Sequence, residues 1–282
     1  MTAKPRSIQY FRLIVAAAIL LYILLVTMVP VLDSLLLFPT TEPISAGKAV
    51  RQTISFEKGD LEILVLGSGL ATSGRPDFYL LCFYGNGTRA ERGMQMALFP
   101  HKSVEVWAVN YPGYGGSTGP ARLAKIGPAA LAAFDALAKI AMDRPIMVAG
   151  YSLGTTAALY VAAHRPVTGV ILQDAPALRQ LIVGDYGWWN LWLLAGPLAL
   201  TAPPALDSVA NAKVAQAPAF FIVDERDTLV PPKYQHLVIQ AYAGKKQVIS
   251  MPDSGHVALL SDSALAQVQK WADKLLAAPK AD

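Results

Sequence analysis

The stretch PIMVAGYSLGTTAALYVAAH, residues 145–164, constrains the fold most. An apolar run ends at Gly150, and an Ala-rich helical pattern begins near Gly154. Between them lies Gly-Tyr-Ser-Leu-Gly. A strand that is apolar on both faces and passes directly into a helix belongs inside a covered sheet. The flanking glycines have a steric reason. The central serine takes a strained φ/ψ, and a side chain two residues to either side would meet neighbouring backbone. Such a turn lifts the Ser152 hydroxyl above the sheet edge. It also sets the serine at a helix N-terminus, where backbone N–H groups and the dipole favour negative charge.

The same rhythm runs through the chain. Strands are expected at RQTISFE (51–57) and LEILVLG (61–67), joined by a hairpin turn at Lys58-Gly59-Asp60. Further strands are expected at 78–84, 104–110, 145–150, 167–173, 218–223 and 247–251, with helices over 88–99, 128–142, 154–164, 232–243 and 262–277. The pattern predicts an α/β fold: a mostly parallel central sheet, helices on both faces and an antiparallel start. Residues 178–210 break the rhythm. They are long for a connection and rich in aromatics and prolines, and they read as a small cap insertion.

From Leu13 to Leu32 there is no charged residue. A helix of about 20 residues spans roughly 30 Å, the hydrocarbon thickness of a bilayer. The reading is an N-terminal transmembrane helix whose far end is marked by Pro30 and Asp33. A cleaved signal would have a shorter apolar core and an A-x-A-like site, and a core helix would carry a polar stripe. Lys4, Arg6 and Arg12 precede the run, so the N-terminus is expected in the cytoplasm and the large domain on the far side, periplasmic in a bacterium. The expected division is an anchor at 1–38, a linker at 39–50, and a domain at 51–282 that contains the 178–210 cap.

Charge excludes one class of partner. The net charge of +4 is +2 from residues 1–38, and the remainder, with 21 basic and 19 acidic residues, is close to neutral. No nucleic-acid partner is expected. The one cysteine, Cys82, lies in the apolar run FYLLCFY and reads as a buried structural thiol. The four histidines show no metal-ligand spacing, so no metal site is expected.

A serine hydroxyl is a weak nucleophile and needs a base. His256, in MPDSGHVAL, follows the last expected strand and precedes the final helix. His101 and His164 lie near helix ends, and His236 lies on a helical stretch. The imidazole in turn needs an acid. FFIVDERDTLVPP offers Asp227, set in the loop beyond the strand end, while Asp224 and Glu225 fall directly at that end. Asp174, after VILQ, is the rival. The chain order Ser152, Asp227, His256 matches that of a nucleophile-elbow scaffold. An oxyanion hole would draw one N–H from Leu153 and the other from Asn86 in YGNGT, where Gly85 and Gly87 permit close backbone approach.

With these parts the chain resembles the α/β-hydrolases over residues 51–278. It is most similar to membrane-anchored serine hydrolases of the alpha/beta-hydrolase-domain type. The motifs are YGNG, NYPGYGGSTG (110–119), GYSLG, DTLVP (227–231) and GH (255–256). Two positions depart from that pattern: Tyr84 stands where a histidine is usual, and PARLAKIG replaces an acidic residue. The resemblance implies a membrane-anchored serine hydrolase cleaving carboxylic esters or thioesters through an acyl-enzyme, without cofactor or metal. Its substrate would be a small-molecule or lipid ester, with Tyr84, Trp188, Trp189 and Trp192 as substrate-binding candidates. Acyl transfer or peptide cleavage on the same residues, and a catalytically silent binding protein, are the alternatives. Oligomeric state is not legible.

Overall fold

The computed structural model describes residues 6–28, 31–67, 74–93, 99 and 102–277. The chain opens with α1 (Arg6–Met28) and α2 (Val31–Leu36). It then enters the sheet through β1 (Val50–Phe56), β2 (Gly59–Gly67) and β3 (Phe78–Phe83). A short α3 (Ala90–Gly93) precedes β4 (Val104–Val109), α4 (Leu123–Ala141), β5 (Ile146–Tyr151), α5 (Gly154–His164) and β6 (Gly169–Gln173). An all-helical insertion follows: α6 (Leu178–Tyr186), α7 (Ala195–Thr201) and α8 (Ser208–Ala212). β7 (Ala219–Asp224), α9 (Pro232–Ala241), β8 (Lys246–Met251) and α10 (Asp262–Ala277) complete the chain.

The strands form one sheet in the order β1-β2-β4-β3-β5-β6-β7-β8. β1 with β2 and β2 with β4 pair antiparallel, and all later neighbours pair parallel. Every residue of β3, β5, β6 and β7 is buried. Their unbroken apolar runs therefore fill both faces, as a doubly covered parallel sheet requires. The hairpin turn falls at Glu57-Lys58, earlier than expected. Phe56 pairs with Gly59, and Glu57 takes the positive φ of 54°.

α4 begins at Leu123, ahead of the expected 128, and Pro128 lies inside it. Asp33 accounts for the earlier start. Its Oδ1 accepts the Leu123 N–H at 2.8 Å, and its Oδ2 pairs with Arg122 at 3.2 Å. A carboxylate at this helix end satisfies an otherwise unpaired donor and complements the dipole. Leu123, Ile126, Ala130, Ala133, Phe134, Leu137 and Ala141 then recur at helical spacing on the buried face. Of the helix expected over 88–99, the described part is α3. Residues 94–98, like Lys4, Pro30 and His101, lie outside the described residues.

The N-terminal expectation is corrected. No helix among the described residues is long and apolar enough to cross a membrane. The transmembrane part of the expected fold and the single-pass placement with an extracytoplasmic domain are overturned with it. The uncharged run is shared between two helices. Its part within α1, Leu13–Met28, is about 24 Å long at 1.5 Å per residue, short of a bilayer's roughly 30 Å. Its other described part, Val31 and Leu32, is built into the domain. Leu32 and Leu37 are buried in the main core, and Asp33 holds the start of α4. The half-buried Tyr22 donates its hydroxyl to the Leu193 carbonyl of the insertion.

Candidate active site

Ser152 occupies the turn between β5 and α5 at φ 53°, a left-handed conformation that costs a non-glycine residue about 1–3 kcal/mol. Surrounding contacts hold it there. Its N–H donates to the Gln173 carbonyl at 2.9 Å, and its carbonyl accepts the Thr155 N–H at 2.9 Å and the Thr155 hydroxyl at 2.7 Å. The glycines on either side are sterically required. A Cβ at Gly150 would lie 2.6 Å from Thr155 Cα, and one at Gly154 would lie 2.3 Å from the Phe83 carbonyl oxygen.

His256 Nε2 lies 2.8 Å from Ser152 Oγ, and its Nδ1 lies 2.7 Å from Asp227 Oδ2. The structure thus brings together three side chains from three separate loops. Asp227 is held by its other oxygen, which accepts the N–H groups of Leu229 and Val230 at 2.8 Å each. Two backbone donors stabilise a carboxylate and fix its orientation. The rival, Asp174, is also close: its Oδ2 is 3.7 Å from His256 Nδ1.

Asp174 serves the backbone beside the histidine. Its Oδ2 accepts the Val257 N–H at 2.7 Å, and its Oδ1 accepts the Asp224 N–H at 3.1 Å. Asp224 Oδ2 accepts from Gln173 Nε2 at 3.0 Å and from the Ala258 N–H at 3.2 Å, while Gln173 Nε2 also donates to the Ala258 carbonyl at 2.8 Å. Val257 sits at φ 48° and Asp174 at φ 54°. These buried groups therefore hold a β-branched residue in a conformation it disfavours, directly after His256. Burial, together with hydrogen-bond contact with the Asp224 carboxyl, pushes the Asp174 carboxyl up to about 8. Asp224 Oδ1 is buried and has no hydrogen-bond partner among the described residues.

On the other side of Ser152, the loop after β3 carries Asn86. Tyr114 donates its hydroxyl to the Asn86 carbonyl at 2.6 Å, and the Phe38 N–H donates to the same oxygen at 3.1 Å. Among the described residues neither the Asn86 nor the Leu153 N–H donates to a protein acceptor. Both residues line one small cavity with Ser152. Gly85 lies against Ser152, whereas a Cβ at Gly87 would meet only Phe38 Cβ, at an ordinary contact distance of 4.0 Å, so it meets no steric demand.

Tyr84 is buried behind this loop, stacked on Tyr151 with ring centroids 5.6 Å apart, and it borders a cavity of about 410 Å³ with Thr88, Arg92 and His256. Burial raises its phenol well above the ordinary value. The tryptophans separate. All three are exposed, but Trp189 lines an apolar cavity of about 350 Å³, whereas Trp188 and Trp192 border neither that space nor the cavities at Ser152. Cys82 is buried, and burial pushes its thiol up to about 12.

Asp174, Asp227 and His256 offer ligand atoms within 4.8 Å of one another. Those atoms already serve the imidazole contact and the Val257 N–H, so a cation there would displace the hydrogen bonds that organise the site.

Sequence reasoning missed two contributors. The Gln173–Asp224 pair was signalled only by polar residues ending otherwise apolar strands. The N-terminal segment supplies Leu36 to the cavity at Ser152, and in the sequence its leucines match those of a membrane run.

No family model and no curated protein matches the sequence. Solved structures do match. The chain is similar to the esterase Pf2001 of Pyrococcus furiosus, at TM-score 0.63 and 14% identity over 86% of this chain and 97% of that one. It is also similar to Est1E of Butyrivibrio proteoclasticus, solved with ferulic acid bound, at TM-score 0.64 and 14% identity over 80% of this chain and 100% of that one. Acetyl xylan esterase 1 of Thermoanaerobacterium sp. matches at TM-score 0.57 and 17% identity, over 85% of this chain and 86% of that one. At such identities the likeness establishes the fold, which is that of the α/β-hydrolases.

Proposed function

We propose that the chain is a serine hydrolase of carboxylic esters or thioesters. The continuous relay from Ser152 Oγ through His256 to Asp227, at 2.8 and 2.7 Å, carries this reading. Esterase titles among proteins of the same fold support it.

In this reading His256 Nε2 takes the Ser152 proton as Oγ attacks the acyl carbon. Asp227 holds the imidazole by Nδ1–H and stabilises the imidazolium that forms. The Asn86 and Leu153 N–H groups receive the oxyanion. Each such donor lowers the barrier by about 3–4 kcal/mol, or two to three powers of ten in rate. His256 then protonates the leaving group, and a water activated by the same nitrogen hydrolyses the acyl-enzyme. The strained φ of Ser152 keeps the hydroxyl clear of the sheet and beside the histidine.

Kinetics on p-nitrophenyl acetate and a short-chain thioester provide the test. The wild type is expected to turn over at least one of them, and Ser152→Ala to fall to the uncatalysed rate. Full turnover by Ser152→Ala, or none by the wild type on these substrates and on a longer-chain ester, contradicts the proposal.

A further inference from the structure

We infer that the substrate is the ester or thioester of a medium- or long-chain fatty acid, its chain running from Ser152 into an apolar channel walled by the N-terminal segment. This rests on the hydrolase reading above. The cavity that Asn86, Ser152 and Leu153 line is small, about 70 Å³. It adjoins the 350 Å³ cavity: Leu36, Asn86, Ile182, Tyr186 and Leu229 border both. Its lining includes Leu32, Leu35, Leu36 and Phe38 from the N-terminal segment, together with residues of α6, α7 and the turn between them.

Chemistry decides which part of the substrate lies where. The leaving group must receive a proton from His256 and therefore departs on the histidine's side. His256 borders the 410 Å³ cavity, with Thr88 and Arg92, and borders neither apolar space. The acyl chain is left with the opposite side, where apolar side chains dominate the walls. The leucines of the N-terminal segment thus select the substrate. Each methylene drawn into the channel raises kcat/KM up to about fourfold, the equivalent of ~0.8 kcal/mol.

The experiment compares p-nitrophenyl acetate, butyrate and octanoate on the full chain. The octanoate-to-butyrate ratio of kcat/KM is expected to reach at least about 30. Ala195→Trp, which fills the channel from α7, lowers that ratio at least about tenfold. Leu35→Asp sets a carboxylate in the wall at a half-exposed position that tolerates it during folding, and lowers the ratio similarly. Ser152-dependent turnover that favours acetate, or a ratio unmoved in both variants, overturns the channel and leaves the hydrolase reading standing. Absence of Ser152-dependent turnover on all three esters overturns the hydrolase reading itself, and this proposal with it.

Discussion

Asp227 and Asp174 are buried aspartates that follow neighbouring strands, at 2.7 and 3.7 Å from the same nitrogen of His256. Distance separates them by 1.0 Å, and their surroundings separate them further. Asp227 points one oxygen at the imidazole and has the other occupied by two backbone N–H groups. Asp174 faces a second buried carboxyl, Asp224, and its oxygens serve backbone donors of the histidine loop and β7. Burial and the Asp224 carboxyl push the Asp174 carboxyl up to about 8, which disfavours the charge it would offer an imidazolium. The lesson is that proximity does not assign the acid. The donors around a carboxylate and the charge beside it do, and here they give one aspartate the imidazole contact and the other the backbone of the histidine loop.

The sharpest break of this comparison is Asp227→Asn. Loss of the charge and of the correct tautomer is expected to lower kcat by about 10³–10⁴-fold, read on the best ester substrate. If Asp174→Asn produced that loss instead, the roles would have to be exchanged. Next in size is Asp174→Ala. It leaves the Val257 and Asp224 N–H groups without partners, at an expected cost of about 1–3 kcal/mol in unfolding free energy. Denaturant melts at pH 6 measure it, and an unchanged midpoint would remove Asp174 from the clamp on the histidine loop.

Asp174→Asn sharpens the comparison through pH. Below about pH 4 the Asp174 carboxyl is protonated in both folded and unfolded chains. Between there and about 8 only the folded chain keeps the proton, so this group's stabilisation falls as pH rises and is gone above about 8. Asparagine carries no such proton. The stability of Asp174→Asn relative to wild type is therefore expected to improve with rising pH over that window, by at most about 1.4 kcal/mol per unit. Urea melts from pH 5 to 9 follow it, and a pH-independent difference would contradict the upward shift of the Asp174 carboxyl. The smallest effect belongs to Val257→Gly. Relief of the positive φ and added backbone freedom oppose each other, so less than about 1 kcal/mol of net change is expected from the same melts.

Much of this arrangement was legible in the sequence for local reasons. The elbow showed itself because a strand, two glycines and a helix start are contiguous around Ser152. His256 and Asp227 stood out because each follows an apolar strand at a place where the architecture brings loops together. The clamp was not legible, since Gln173, Asp174 and Asp224 acquire their roles only when β6 and β7 pair in register and carry the 257–258 backbone across their ends. The N-terminal run was misread for a related reason. An uncharged stretch of leucines has the same composition whether it spans lipid or is divided between two helices, and tertiary contacts such as Asp33 with Leu123 and the burial of Leu32 distinguish them. The tryptophans show the same limit, because composition groups all three while packing turns only Trp189 toward the channel.

The most direct test of the central claim is covalent labelling with a fluorophosphonate probe, with the adduct located by peptide mass spectrometry. The account predicts one adduct, on Ser152, abolished by Ser152→Ala and slowed by several powers of ten in His256→Ala. No adduct on the folded wild-type chain, or labelling of Ser152 at an unchanged rate in His256→Ala, would contradict it.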